Sequence, residues 1–155
     1  MVLLGVPDST FGNGKSVLVV DDHYDFLRST EELLALMGFQ VFCARDGAGA
    51  LKIIEKQPRI SVILTDLFMP NMDGIELLSR LRKSDRPMPP IIAVTGDLHV
   101  DAESVGGAAA SLGASAVLMK PFTRDQLVSA IGFVCSSRGQ QRAKTNGHDE
   151  PAATT

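Results

Sequence analysis

The sequence of 155 residues has no long run of lysine or arginine, and its formal net charge at pH 7 is -3. Nucleic-acid phosphates require a clustered basic face, so direct binding to nucleic acid is not expected. The sequence also has no apolar stretch that approaches the roughly 18 to 20 residues needed to span a bilayer. Its first apolar run, Met1 to Leu4, is too short for the core of a signal peptide. We therefore expect a soluble, cytoplasmic protein that makes no membrane contact.

Cysteine is scarce, with Cys43 and Cys135 as the two examples in the chain. Both lie in apolar segments, where a free thiol behaves as a small hydrophobic side chain. Their separation matches neither a metal-ligand spacing nor a CxxC motif. We expect both thiols to be buried and chemically inert.

Composition divides the chain into three parts. Residues 1–15 mix glycine, proline, aspartate, serine and asparagine without periodicity, which predicts a flexible leader. Residues 16–136 carry the periodic apolar segments of one folded domain, which is the number that a chain of this length usually supports. Residues 137–155 are polar and irregular, and they predict a disordered tail.

Short apolar segments alternate with segments of helical period through the folded part. The apolar runs predict five strands, at residues 17–20, 40–44, 61–65, 91–94 and 116–119. The helical segments begin near Asp25, Asp46, Asp73, Asp101 and Thr123. We expect the third helix to bury Ile75, Leu78 and Leu81. Continuous apolar strands joined by helices predict a doubly wound α/β fold, with a five-stranded parallel sheet and helices on both faces.

Polar residues follow the predicted strands at one edge of this sheet. They are Asp21 and Asp22 after the first strand, Asp66 after the third, Thr95 after the fourth and Lys120 after the fifth. In doubly wound sheets, ligands bind at this edge, beside the point where the strand order reverses. Three crowded carboxylates repel one another unless cations compensate them, and oxygen ligands favour Mg2+. The sequence therefore predicts one acidic pocket that holds Mg2+ beside a lysine.

Such a pocket suits phosphoryl transfer. A carboxylate beside a metal ion can attack a phosphoryl group, and Asp66 is the central candidate for that nucleophile. The oxygens of a transferring phosphoryl group need charge neutralisation, which Mg2+, the Lys120 ammonium and the Thr95 hydroxyl would supply. No protein base is required for this chemistry.

Four sequence segments, each at a predicted strand end, together resemble the response-regulator receiver family. They are Val19-Val20-Asp21-Asp22, the sequence LTDLFMPNMDG from Leu64 to Gly74, Val94-Thr95-Gly96 and Lys120-Pro121-Phe122. The resemblance covers residues 16–136. It implies a flavodoxin-like sheet with the strand order 2-1-3-4-5.

The resemblance implies a phospho-accepting domain of a two-component phosphorelay rather than an enzyme. A sensor histidine kinase or a histidine phosphotransfer protein would phosphorylate Asp66, and Thr95 would then move toward the phosphate. The Mg2+ ligands would be Asp21, Asp22, Asp66 and the backbone carbonyl of Phe68. Self-phosphorylation, self-dephosphorylation and contacts with an unidentified downstream protein are further expectations. We expect a monomer.

The segment that leads to Lys120 departs from the family pattern. The position three before Lys120, which is usually aromatic, is Val117, and the segment from Thr95 to Lys120 is longer than is common. A signal would then leave through the fourth helix, where Gly106 and Gly107 lower the helix propensity. No output domain is visible after residue 136. The sequence fits either a stand-alone regulator or a receiver cut from a hybrid kinase or a larger regulator.

Plainer interpretations stay open beside this one. The Asp21-Asp22 pair could start a turn, Asp73-Gly74 is interpreted as a turn and helix cap, and His23 could border the pocket. The alternative function is a magnesium-dependent phosphotransferase or phosphohydrolase of similar topology, although no connection is long enough to form its substrate pocket. A P-loop is disfavoured, because a predicted strand follows the segment 12–16 where a helix should begin.

Overall fold

Five strands alternate with five helices in the described residues, 11–96 and 102–145, of the computed structural model. The strands are β1 (Ser16–Val20), β2 (Gln40–Ala44), β3 (Ile60–Asp66), β4 (Ile91–Thr95) and β5 (Ala116–Met119). The helices are α1 (Tyr24–Leu36), α2 (Gly47–Lys56), α3 (Gly74–Arg82), α4 (Ala102–Ser111) and α5 (Arg124–Thr145). The predicted doubly wound α/β architecture is confirmed.

All neighbouring strands are parallel, and their order is β2-β1-β3-β4-β5. The order agrees with the expected 2-1-3-4-5. The central strands are buried along their length, because helices cover both faces of the sheet, and this explains their continuous apolar sequences. The strand order reverses between β2-β1 and β1-β3, so the carboxyl ends of β1 and β3 border the crevice where ligands bind in such sheets.

The core has two layers, one on each side of the sheet. The first layer contains Leu27 and Leu34 of α1 and Leu127, Ile131 and Val134 of α5. The second contains Ala50 of α2 and Leu77, Leu78 and Leu81 of α3. The prediction that α3 buries Ile75 is wrong, since that side chain is exposed and Leu77 takes its place. Asp73 caps α3, and the helix that starts there turns positions 77, 78 and 81 toward the sheet.

The predicted flexible leader is too long, because residues 11–15 pack against the domain. The Gly12 amide donates a hydrogen bond to the Met37 carbonyl at 2.7 Å, and the Gly14 amide donates one to the Gly38 carbonyl at 3.1 Å. The Phe11 ring packs edge-on against Phe39, with 5.7 Å between ring centroids. A Cβ atom at Gly12 would lie 2.5 Å from the Gly38 backbone, so only glycine fits this approach. Residues 1–10 lie outside the described residues.

The final helix is longer than the sequence analysis expected. A disordered tail was predicted from residue 137, whereas α5 continues to Thr145. The segment 140–144 consists of Gln, Gln, Arg, Ala and Lys, which are good helix formers, and extending an existing helix costs little. Residues 146–155 and the predicted helix start at Asp101 lie outside the described residues. In the part of the chain that is described, no helix combines the length and apolarity needed to cross a membrane.

Both cysteines are free and partly buried. Cys43 lies on β2, and burial raises the pKa of its thiol from 9.0 to about 11, with Glu31 adding to the increase and Arg28 opposing it. At pH 9 about half of the thiols in an unfolded chain are ionised, whereas a pKa near 11 leaves about one in a hundred as the reactive thiolate.

We therefore expect slow alkylation of Cys43 in the native protein. In a Cys135→Ser background, iodoacetamide at pH 9 should modify native Cys43 about 50-fold more slowly than the urea-unfolded chain, as measured by intact mass. Equal rates in the native and unfolded states would contradict the assignment of a protected thiol.

Candidate functional site

Four strands bring polar side chains to one edge of the sheet. Asp21 follows β1, Asp66 ends β3, Thr95 ends β4 and Lys120 follows β5. The side chains of Asp21, Asp66 and Thr95 are all buried, with at most 6% of each residue exposed. A backbone hydrogen bond joins the ends of β4 and β5, since the Lys120 amide donates to the Thr95 carbonyl at 2.7 Å. The structure therefore brings together the residues that the sequence analysis placed in one pocket.

Lys120 bridges two of the carboxylates. Its Nζ donates a hydrogen bond to Asp21 Oδ2 at 2.5 Å and another to Asp66 Oδ2 at 2.9 Å. Burial alone would lower the pKa of this ammonium, but the hydrogen bonds and charges of Asp21 and Asp66 outweigh burial and raise the pKa above its ordinary value. Lys120 therefore stays charged and ties the end of β5 to β1 and β3.

One aromatic ring lies against the Lys120 ammonium, and a second ring packs against the first. Its Nζ lies 4.1 Å from the centroid of the Phe26 ring, which is cation–π distance. The Phe26 ring packs edge-on against Phe122, with 5.6 Å between centroids. The peptide bond between Lys120 and Pro121, which directly precedes Phe122, is cis. Phe26 was not predicted as a site residue, because an aromatic residue at helical spacing most often belongs to the hydrophobic core.

The backbone around Asp66 is folded tightly under the pocket. Asp66 Oδ1 accepts a hydrogen bond from the Phe68 amide at 2.9 Å, and the Gly74 amide donates to the Leu67 carbonyl at 3.2 Å. Asp73 Oδ1 accepts a hydrogen bond from the Glu76 amide at 2.8 Å, which confirms the predicted helix cap. A Cβ atom at Gly74 would lie 2.0 Å from the Asp66 carbonyl oxygen. Glycine at this position lets the start of α3 approach the backbone of Asp66.

Asp22 and His23 complete the acidic edge of the pocket. Asp22 Oδ1 is buried and has no hydrogen-bond partner among the described residues. His23 Nδ1 lies 3.3 Å from Asp21 Oδ1 and 3.5 Å from Asp22 Oδ1. His23 follows the acidic pair in sequence and was expected only to border the pocket, whereas the structure places its ring beside both carboxylates.

The donor set fits a divalent cation. Asp21, Asp22, His23 and Asp66 each offer one ligand atom, and these atoms lie within 4.8 Å of one another. The pocket contains three carboxylates and one ammonium, that of Lys120, so two formal negative charges remain there. A divalent ion neutralises both, and it also gives the unpartnered Asp22 Oδ1 a partner.

The other residues that the sequence singled out are Phe68, Thr95 and Val117. Phe68 follows β3, and the residue is 48% exposed. Thr95 is fully buried at the end of β4. Val117, three residues before Lys120, is partly buried on β5 and packs against the core layer of α2 and α3. The roles assigned to Phe68 and Thr95 stay predictions.

Comparison with known proteins gives one consistent family. The family description "Response regulator receiver domain" matches residues 17–132. The chain is 38% identical over 123 residues to the transcriptional regulatory protein PrrA of Mycobacterium tuberculosis, which covers 79% of this chain and 51% of that protein. It is 35% identical over 118 residues to the sporulation initiation phosphotransferase F of Bacillus subtilis, which covers 76% of this chain and 90% of that protein.

Solved structures agree with these relatives. A response regulator receiver domain protein from Clostridium thermocellum superposes with a TM-score of 0.73 at 29% identity. The match covers 82% of this chain and 98% of that one. By contrast, the chain spans about half the length of PrrA.

The close approach at Gly74 predicts a large effect of a single methyl group. Gly74→Ala should lower the free energy of unfolding by about 1 to 3 kcal/mol, because the new Cβ would overlap the Asp66 carbonyl. Gly132→Ala in α5 is the matched control, since a Cβ there has nothing within 4 Å, and it should raise stability by up to about 1 kcal/mol. Urea denaturation measures both. A Gly74→Ala protein as stable as the wild type would refute the tight packing beneath Asp66.

Proposed function

This chain belongs to the family of response regulator receiver domains, which act in two-component signalling, and we propose that its phosphoacceptor is Asp66. The observation that carries the proposal is the hydrogen bond from Lys120 Nζ to Asp66 Oδ2 at 2.9 Å. It sets a fixed positive charge beside the carboxylate at the end of the central strand. Such a charge stabilises the negative oxygens of a phosphoryl group during transfer.

Asp66 is favoured over its neighbours as the acceptor. Asp21 is 1% exposed, whereas Asp66 is 6% exposed and is therefore the more accessible of the two carboxylates that bind Lys120. Asp66 ends β3, which lies between β1 and β4, so the other site residues flank it on both sides. This central position suits a group that a phosphoryl donor must reach in line.

The proposed cofactor is Mg2+, held by Asp21, Asp22, Asp66 and the backbone carbonyl of Phe68. Its support is the orphaned Asp22 oxygen and the two formal negative charges that remain after Lys120 is counted. When bound, the ion supplies charge neutralisation for the phosphoryl oxygens.

Phosphoryl transfer then needs little from the protein besides positioning. An Asp66 carboxylate oxygen forms a bond to phosphorus while the phosphorus–nitrogen bond of a phosphohistidine donor breaks, and the leaving nitrogen keeps the electron pair of that bond. Lys120 and Thr95 would each bind one phosphoryl oxygen. Thr95 would thereby be drawn toward Asp66, and this movement is the proposed start of the signal.

The proposed partners follow from the chemistry and the relatives. One relative is named a phosphotransferase of sporulation initiation and another a transcriptional regulatory protein. We propose a sensor histidine kinase or a histidine phosphotransfer protein as the donor, and an unidentified protein as the downstream contact. Self-phosphorylation from small donors, self-dephosphorylation and a monomeric state belong to the same proposal.

Substitution of Asp66 tests the proposal. Incubated with acetyl phosphate and Mg2+, the wild-type protein should gain one phosphoryl group per chain, and Asp66→Asn should gain none, because an amide is not a nucleophile here. Intact mass spectrometry measures the gain, and hydroxylamine should remove it as expected for an acyl phosphate.

Asp73→Asn is the matched control for this experiment. It makes the same chemical change at a carboxylate that caps α3 outside the pocket, and asparagine is also a good cap. This variant should be phosphorylated like the wild type. Equal labelling of Asp66→Asn would refute Asp66 as the acceptor, and turnover of acetyl phosphate that persists in Asp66→Asn would favour the alternative phosphotransferase or phosphohydrolase.

A further inference from the structure

His23 occupies a helix N-cap position without acting as a cap. It precedes α1, where serine, threonine, aspartate or asparagine would normally accept a hydrogen bond from the first helical turn. The His23 side chain makes no capping hydrogen bond within the described part of α1. Its Nδ1 instead faces the acidic pair, 3.3 Å from Asp21 Oδ1 and 3.5 Å from Asp22 Oδ1.

These separations are close to those between ligands that share one octahedral ion. Adjacent ligands around an ion with bonds of about 2.1 Å lie about 3 Å apart. The His23 side chain is 72% exposed, so it can adjust by a few tenths of an ångström without disturbing the core. Its backbone amide donates to Asp21 Oδ1 at 2.8 Å, which holds the residue against the pocket.

An imidazole changes which ions the pocket prefers. Mg2+ is bound almost entirely through oxygen ligands, whereas imidazole nitrogen is a good ligand for divalent transition metals. On the basis of the metal site in the proposed function, we propose that His23 Nδ1 is a further ligand in this pocket. It gives the pocket a preference for octahedral transition-metal ions such as Ni2+ over Mg2+.

A simpler role for His23 makes a different prediction. If its ring only forms an ion pair with Asp21 and Asp22, every divalent cation displaces it equally. Replacement of His23 would then change the affinities for Ni2+ and Mg2+ by the same factor. If Nδ1 is a ligand, the same replacement weakens Ni2+ binding far more than Mg2+ binding.

Calorimetric titration separates the two roles. The full chain carries three histidines, so His99→Gln and His148→Gln are introduced first, which leaves His23 as the single imidazole. This background protein and its His23→Gln version are titrated with NiCl2 and with MgCl2 in the absence of any phosphoryl donor. We expect the replacement to weaken Ni2+ binding about tenfold or more, within the range of about 10- to 100-fold known for groups that support a metal site, and Mg2+ binding by less than about twofold.

A spectroscopic measurement reports the bond itself. With 15N-labelled histidine, electron spin echo spectra of bound Mn2+ should contain coupling to a 15N nucleus, and His23→Gln should remove it. Equal loss of Ni2+ and Mg2+ affinity, or no 15N coupling, would overturn the role of His23 as a ligand. Acetyl phosphate labelling in Mg2+ tells the two proposals apart: if labelling occurs and the metal preference is unchanged, only the inference about His23 fails.

Discussion

The shared ammonium of Lys120 is the interaction on which the rest of the site depends. It joins Asp21 at the end of β1 to Asp66 at the end of β3, and it reaches them from the end of β5. Three strands far apart in sequence are thereby tied at one edge of the sheet. Asp22 adds a third carboxylate, so the Lys120 ammonium leaves a net negative charge in the pocket. A divalent cation would neutralise this charge, which is why the site favours one.

The surrounding fold keeps this charged edge in place with apolar packing and close backbone approaches. Helices cover both faces of the sheet, so the strand ends rest on a rigid core. Phe26 covers the Lys120 ammonium with its ring, while Gly74 lets α3 start directly against the Asp66 backbone. A phosphoryl group on Asp66 would therefore enter a site whose charges are already positioned, which is how electrostatic stabilisation is most effective.

Sequence patterns predicted most of the fold because its strongest signals are local. Buried parallel strands read as continuous apolar runs, and Asp73 marks the start of α3 through its own hydrogen bond. The rule that ligands bind at the carboxyl ends of parallel strands predicted that Asp21, Asp66 and Lys120 lie at one edge of the sheet. The sheet order came from the family resemblance, since apolar runs do not specify which strands are neighbours.

The errors arose where tertiary contacts override local composition. Residues 11–15 have the composition of a flexible leader, yet the Gly12 amide donates a hydrogen bond to the Met37 carbonyl directly after α1. The polar segment after residue 137 lacks an apolar face but extends an existing helix. Phe26 was not recognised as part of the site, and His23 was predicted only as a residue that could border it, because helical period alone does not show that α1 begins against the acidic pocket.

The balance of charge in the pocket is tested most directly by the stability of Asp22→Asn with and without Mg2+. This substitution removes one carboxylate and leaves the shape of the side chain almost unchanged. In urea denaturation without divalent ions, we expect the variant to be more stable than the wild type, since the repulsion between Asp22 and the neighbouring carboxylates is removed. Mg2+ should then stabilise the wild type much more than the variant, because binding to the native state adds to stability. A variant that is less stable without ions, and that gains as much from Mg2+ as the wild type does, would contradict the account.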